Sequence, residues 1–387
     1  MAPPGSDSGI VIAGGGLAAQ RCAETLRRSG YDERIRMVCG EPHRPYDRPP
    51  LSKAVLADAG AEGGLGFRSV AWYGDRGIEL LLGVPAAALD CEQRMVTLAD
   101  GRALGYERLL IATGSRPRRL APLDGFANVH TLRTLDDARA LRAALSTGGR
   151  LVVVGAGFIG QEVAAAAVKA SVPTTIVEAT GAPLEALLGP SIGAWFADLH
   201  RNEGVDVVLG AQVAAAHGGE RVESLTLSDG RRLPCEHVVV GIGVDPDLAW
   251  MAGSGLDPAG VRIEADGRTS APGVFAAGDA AASYDPVLGR HVPGGHWESA
   301  SRQGAAAARA MLGLDAARPG DASFWSDLYD TRVQYLGHAR MADEATIDGD
   351  PAARDFSVTF TRAGAPVAVL LVGRPHDLPR ARALLAA

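Results

Sequence analysis

The same strand–turn–helix–strand pattern is written twice in this chain. Ile10-Val11-Ile12 runs into Gly14-Gly15-Gly16-Leu17-Ala18-Ala19, an amphipathic helix follows over Gln20 to Arg28, Gly30 closes it, and the strand Ile35 to Cys39 ends near Glu41. In the second copy Leu151 to Val154 leads into Gly155-Ala156-Gly157-Phe158-Ile159-Gly160, an alanine-rich helix over Gln161 to Ala170, and the strand Thr174 to Val177, ending at Glu178. Gly155 stands 141 residues after Gly14. A glycine-rich turn alone says little in a glycine-rich chain. Here each turn follows an apolar strand, opens a helix and is answered by an acid at the end of the next strand, which is the context of a dinucleotide-binding βαβ unit. The first glycine permits the tight turn, the second lets backbone approach a diphosphate, and the third small residue packs helix on strand. The free N–H groups of the helix N-terminus then face the diphosphate.

A second duplication accompanies the first. Asp100-Gly101 and Asp229-Gly230 are hairpin-turn signals, and the apolar runs Leu109 to Ala112 and Val238 to Gly241 read as buried parallel strands. Fourteen residues separate Asp100 from Gly114 and Asp229 from Gly243. A third element, Thr269 to Asp279, is a short strand ending in Gly278-Asp279, where a carboxylate at a strand edge can accept hydrogen bonds from a sugar-alcohol hydroxyl. The pattern predicts an α/β chain with two Rossmann-like dinucleotide-binding domains.

Composition bounds the rest. The 387 residues suffice for two or three domains, and glycine, at 49, is about twice its average usage. Basic residues number 38 against 45 acidic ones, a net charge of −7, so no overall field gathers nucleic acid or an anionic membrane. No run of about 18 apolar residues exists, and Met1 to Gly9 carries no basic leader, so the expectation is a cytoplasmic, non-membrane protein. Cys22, Cys39, Cys91 and Cys235 are scattered, without metal-ligand spacing. The only lysines are Lys53 and Lys169.

Further motifs give the chain a resemblance. They are Pro45-Tyr46-Asp47-Arg48-Pro49-Pro50-Leu51-Ser52-Lys53, Ile111-Ala112-Thr113-Gly114, Thr131-Leu132-Arg133-Thr134, Val240-Gly241-Ile242-Gly243, Gly278-Asp279, His296-Trp297-Glu298 with Gln303-Gly304, and Phe324-Trp325-Ser326-Asp327. With the two fingerprints, they resemble the flavoprotein reductases with two dinucleotide sites, and among them the NADH-dependent ferredoxin reductases of Rieske-type oxygenases and bacterial cytochromes P450. The resemblance implies that FAD meets Gly14, Gly16 and Ala19 at its diphosphate and Glu41 at its adenosine ribose. Residue 40 is glycine where many relatives carry an acid, which leaves Glu41 alone for that role. Arg48, Lys53, Val84, the Ala112-Thr113-Gly114 strand end, Arg133, Gly278, Asp279 and Trp297 complete the implied flavin site. Gly155, Gly157, Ile159 and Gly160 then surround the phosphates of the nicotinamide dinucleotide, with Gly243 near the nicotinamide. Glu178 points to NADH over NADPH, because a carboxylate there accepts from a ribose 2′-OH and repels a 2′-phosphate, and no basic residue follows it before Pro183.

The resemblance also pairs Lys53 with Glu162 near the flavin N5, where a fixed cation stabilises the charge left by hydride transfer. It sets the helix that follows Trp297 with its N-terminus toward the flavin pyrimidine edge, and Trp297 with Trp325 between flavin and partner. Pro293-Gly294-Gly295 departs from the Arg-x-Glu usual there. The region from Glu41 to Val55 has no cysteine, which disfavours disulfide-relay chemistry. The implied function is therefore ferredoxin–NAD(+) reductase. The alternatives are a rubredoxin reductase, an NADH oxidase making peroxide, or a non-turnover NADH sensor resembling apoptosis-inducing factor. The implied partner is an acidic [2Fe–2S] ferredoxin docking on a local arginine patch, with Arg302, Arg309 and Arg332 as candidates. Monomer and homodimer both remain open. The expected domains are 1–117 with 244–321 for FAD, 118–243 for NAD(H), and a small α+β interface domain over 322–387.

Overall fold

The computed structural model of the chain describes residues 9–315 and 323–386. The expected boundary at 321–322 lies outside them, as do the first eight residues, on which the reading of the leader rests. The chain forms two compact units. One is assembled from segments within Met1–Arg48, Gly63–Arg116 and Asp245–Gly320, the other from segments within Pro49–Glu62, Pro117–Val244 and Asp321–Ala387.

In the first unit the strand Gly9–Ala13 lies between the parallel strands Ile35–Cys39 and Ala103–Ile111, with Ile78–Leu82 beyond the former and Val274–Ala276 beyond the latter. Every residue of Gly9–Ala13 is buried, as a parallel strand covered on both faces must be. Side-chain alternation sends Ile10 and Ile12 to one core with Ala19, Cys22 and Leu26 of the helix Leu17–Arg28 and Ala307 and Met311 of the helix Trp297–Met311. Val11 and Ala13 join the opposite core with Val96, Leu98, Leu109 and Ile111. Each of the larger aliphatic side chains among them, such as Ile10, Ile12 and Leu26, contributes about 1.5–3 kcal/mol on burial.

The two duplicated hairpins differ in one respect. Ala103–Ile111 runs antiparallel to Met95–Leu98 over its first residues and parallel to Gly9–Ala13 over its last. In the second unit the corresponding stretch is broken into Arg232–Pro234 and His237–Val240. Pro234 stands where Gly105 stands in the first copy, and a residue without an N–H ends the ladder.

The second unit's parallel sheet runs Asp206–Leu209, Thr174–Glu178, Leu151–Val154, His237–Val240, Val129–His130. The same unit carries an antiparallel five-stranded sheet in the order Ser323–Leu328, Thr331–Gly337, Ala365–Val372, Asp355–Arg362, Glu344–Asp350. One face of that sheet packs Val333, Tyr335, Val358 and Leu370 on Ile192, Phe196 and Leu199 of the helix Pro190–Asn202, and the other packs Val369 and Leu371 on the helix Leu378–Ala386. The segment Pro49–Glu62 is tied to the helix Leu135–Ser146 by Arg142, which donates to Val55 O at 2.8 Å and meets Glu62 at 2.7 Å. Among the described residues no helix is long and apolar enough to cross a membrane.

Candidate active site

The two glycine turns have the same internal logic. A Cβ on Gly14, at φ +137°, would lie 2.0 Å from Ala112 O, and one on Gly155, at φ +101°, 2.5 Å from Gly241 O, the corresponding carbonyl of the duplicated strand. At the third position a Cβ on Gly160 would lie 2.1 Å from Gly155 O, while the first copy uses the fully buried Ala19. The second glycine is different. A Cβ on Gly16 would meet nothing within 4 Å, and one on Gly157 only Gly241 O at 3.8 Å, and both residues have ordinary negative φ. The protein's own packing therefore requires the first and third small residues but not the second, and the open face fits the close approach of a dinucleotide diphosphate. Gly16 and Gly157 are also the N-caps of Leu17–Arg28 and Phe158–Lys169, and neither helix has a side-chain cap or an acid in its first turn. The positive ends of both dipoles are thus not neutralised by any side chain of their own first turn.

Glu178 braces the second turn. Its Oε2 accepts from Ala156 N at 2.6 Å, and its Oε1 from Thr180 N at 2.9 Å and Thr180 Oγ1 at 3.0 Å. Ile159, one residue into the helix, is 45% exposed despite its size. Gly243 has φ +102° and its carbonyl accepts from Arg118 N at 3.0 Å.

In the first unit Glu41 is held by Arg48 at 2.7 Å and Tyr46 OH at 2.5 Å. Val84 N donates to Cys39 O at 3.2 Å, beside the end of the strand that leads to Glu41. Ala112 N donates to Ala13 O at 2.8 Å, Thr113 Oγ1 to Asp247 O at 2.7 Å, and Gly114 O accepts from Asp247 N at 2.9 Å. Asp279 Oδ2 accepts from Ser115 Oγ at 2.7 Å, and Gly278 N donates to Gln303 Oε1 at 2.8 Å. Trp297 begins its helix and donates from Nε1 to Asp47 Oδ1 at 2.8 Å. The N-cap His296 has its pKa lowered, chiefly by burial.

Lys53 and Glu162 lie together in the second unit. Lys53 Nζ is 2.7 Å from Glu162 Oε1 and also donates to Pro49 O at 3.4 Å. The Glu162 side chain is only 3% exposed, so its charge demands compensation. Ser326 Oγ donates to Oε1 at 2.6 Å, and Ser52 Oγ donates to Oε2. Arg133, also in this unit, donates from its backbone N to Asp137 Oδ2 at 2.9 Å, beside the capping box of Leu135–Ser146.

The candidate residues divide between the units. Gly14, Gly16, Ala19, Glu41, Arg48, Val84, Ala112, Thr113, Gly114, Gly278, Asp279 and Trp297 belong to the first; Lys53, Arg133, Gly155, Gly157, Ile159, Gly160, Glu162, Glu178 and Gly243 belong to the second. Sequence reasoning passed over the hydroxyls of Ser52, Ser115 and Ser326, and Asp47 as the partner of Trp297. It also passed over His200, a buried ring with Nδ1 2.7 Å from Tyr329 OH and Nε2 3.1 Å from Gln161 Oε1. Gln161 Nε2 in turn donates to Ala156 O at 2.9 Å, in the second glycine turn. Of the candidate docking arginines, Arg302 pairs with Glu298 at 2.8 Å, Arg332 with Asp327 at 2.8 Å, and Arg309 donates to Asp315 O at 2.5 Å.

Two glycine turns of one design, each with an acid at the next strand end, find their counterpart among known proteins. The family model of the pyridine nucleotide-disulphide oxidoreductases matches residues 8–304. The chain belongs to that family. A second model, the reductase C-terminal domain, matches residues 323–387. The ferredoxin–NAD(+) reductase component of the anthranilate 1,2-dioxygenase system of Burkholderia cepacia is 40% identical over 385 residues, covering 98% of this chain and 94% of that protein. Putidaredoxin reductase of Pseudomonas putida is 36% identical, covering 98% and 92%. In the crystal structure of the covalent putidaredoxin reductase–putidaredoxin complex a chain superposes with a TM-score of 0.94 at 34% identity, covering 98% of this chain and 93% of that one. The α/β architecture, two Rossmann-like sheets plus a small C-terminal α+β sheet, is the one expected.

For a member of a family named for disulphide chemistry, the thiols here are ill suited to it. All four cysteines are free; burial pushes Cys39 up to about 12 and Cys235 up to about 11, and raises Cys22 and Cys91 as well. The reactive thiolate is thereby disfavoured.

Proposed function

We propose that this protein is a ferredoxin–NAD(+) reductase, which oxidises NADH and passes electrons through FAD to a [2Fe–2S] ferredoxin feeding an oxygenase or a cytochrome P450. Bound FAD supplies the exchange between two-electron and one-electron chemistry, and the chain supplies binding, orientation and charge. The observation that carries this reading is the pair of glycine turns whose second glycine faces open space while the first is fixed by backbone in both copies and the third is Gly160, fixed by backbone, or the fully buried Ala19.

In this reading the segments 1–117 and 244–321 hold FAD, 118–243 holds NADH, and 322–387 forms the interface domain. Gly14, Gly16 and Ala19 receive the flavin diphosphate, with Glu41, Arg48, Val84, Arg133, Asp279 and Trp297 around the rest of the cofactor. Gly155, Gly157, Ile159 and Gly160 receive the nicotinamide dinucleotide, and Glu178 accepts from its adenosine ribose. Lys53, held in place by its ion pair with Glu162, supplies the fixed ammonium that favours reduced flavin. The ferredoxin is acidic and meets a local arginine patch, and the protein works in the cytoplasm.

The test is NADH oxidation by the FAD-loaded protein with a panel of [2Fe–2S] ferredoxins, read by cytochrome c reduction against an oxygen-only control. Turnover that requires a ferredoxin is expected. Equal rates with and without ferredoxin would overturn the assignment in favour of an oxidase.

A further inference from the structure

The buried carboxylate of Glu162 brings together three segments far apart in sequence. Glu162 sits in the first half of the helix Phe158–Lys169, Lys53 and Ser52 come from the segment Pro49–Glu62, and Ser326 from the strand Ser323–Leu328. Oε1 is shared by the Lys53 ammonium at 2.7 Å and the Ser326 hydroxyl at 2.6 Å, and the Ser52 hydroxyl donates to Oε2. Ser326 is fully buried, and Glu162 and Ser52 nearly so.

The strand that carries Ser326 has little freedom. Ser326 is paired with Val333 in the antiparallel hairpin, and two residues earlier Phe324 meets Phe158 edge-on at 4.4 Å and stacks on Tyr335 at 4.9 Å. Phe158 lies one turn before Glu162 on the same helix, so a ring contact and a hydroxyl fix the helix to the hairpin at successive turns. A carboxylate can rotate about its terminal bond, carrying its partner ammonium with it. A hydroxyl on each oxygen, both buried, holds that plane, and the oxygen that holds Lys53 is also the one held by Ser326.

We propose that Ser326 is a positioning residue for reduction of the flavin: it fixes the Glu162 carboxylate and through it the ammonium of Lys53. The small C-terminal sheet thus has a part in the NADH half-reaction besides any in partner docking. This rests on the reading that Lys53 supplies charge to that half-reaction, and the test separates the two.

In the FAD-loaded protein, rapid mixing with NADH measures the limiting rate of flavin reduction and the half-saturating NADH concentration. Ser326→Ala lowers the limiting rate about tenfold, since small displacements of a positioned group are costly, with little change in half-saturation. In a Glu162→Gln background the same substitution adds little, because the group through which it acts is already altered. Hydrogen exchange of the 49–62 segment in the holoenzyme rises in Ser326→Ala, a readout independent of turnover. Ser326→Cys is close in shape, replacing the hydroxyl by a somewhat larger and only weakly donating thiol, and carries the same test if the alanine variant loses flavin. A slow Lys53→Ala beside a Ser326→Ala of unchanged rate overturns the proposal, as do full additivity with Glu162→Gln and unchanged hydrogen exchange. A Lys53→Ala variant of unchanged rate overturns the reading beneath it.

Discussion

The contrast between the second and third glycines of the nucleotide turn can be tested by adding one methyl group at each. Gly160→Ala places a Cβ 2.1 Å from Gly155 O and 3.3 Å from Val153 Cγ1, so strand and helix must separate. Overpacking of this kind costs about 1–3 kcal/mol, and at about 2–4 °C per kcal/mol for a domain of this size it lowers Tm by several degrees whether or not nucleotide is present. Gly157→Ala meets only Gly241 O at 3.8 Å, from a residue at φ −71° that alanine adopts without strain. Its loss as an N-cap is partly offset by the lower entropy of the unfolded chain, so folding stability changes by less than about 1 kcal/mol. The methyl instead occupies the open face proposed to receive the phosphates. The NADH half-saturation of Gly157→Ala therefore rises about tenfold or more, equivalent to about 1.4 kcal/mol of binding. Steady-state kinetics, thermal melts and flavin content of both variants decide it. A Gly157→Ala protein that folds, keeps FAD and retains its NADH half-saturation would refute the inference that this open face receives a diphosphate.

Glu178→Arg removes the acceptor for a ribose hydroxyl and adds a partner for a 2′-phosphate, so the NADH-to-NADPH ratio of kcat/KM falls by at least about tenfold; an unchanged ratio would place the ribose elsewhere. Burial draws the His200 pKa from its ordinary 6.5 to about 4, so the unfolded chain binds more protons between those values. Stability therefore falls as pH drops through that window, with a His200 share of about 2 kcal/mol between pH 7 and pH 4.5 that His200→Gln removes, measurable by urea unfolding at the two pH values. Ferredoxin turnover declines with rising ionic strength if an arginine patch guides docking, and turnover insensitive to salt would contradict that patch.

Legibility in the sequence followed the distance over which each interaction acts. Both glycine turns were readable because strand, glycines, helix and closing acid lie within about one βαβ unit. The hairpins were readable from Asp100-Gly101 and Asp229-Gly230, although only the structure shows that Pro234 splits the second copy. The C-terminal region was read as a small α+β domain; its wholly exposed edge strand Glu344–Asp350 has no apolar face to announce it. The polar braces escaped because their partners are remote: Ser52 and Ser326 reach Glu162 across 110 and 164 residues, Ser115 reaches Asp279 across 164, and Trp297 reaches Asp47 across 250. A lone serine carries no periodicity. The Arg302–Glu298 pair, by contrast, is an i,i+4 contact that its spacing already suggests.

The central claim is that two dinucleotide sites and a C-terminal domain serve to divide a two-electron donor into single electrons. The most direct test is an anaerobic titration of the FAD-loaded protein and excess oxidised [2Fe–2S] ferredoxin with NADH, followed by the visible absorbance and electron paramagnetic resonance of the cluster. The account predicts about two reduced clusters for each NADH consumed, with one electron entering each cluster. NADH oxidation that leaves the clusters oxidised, or that proceeds only when oxygen is admitted, would contradict it.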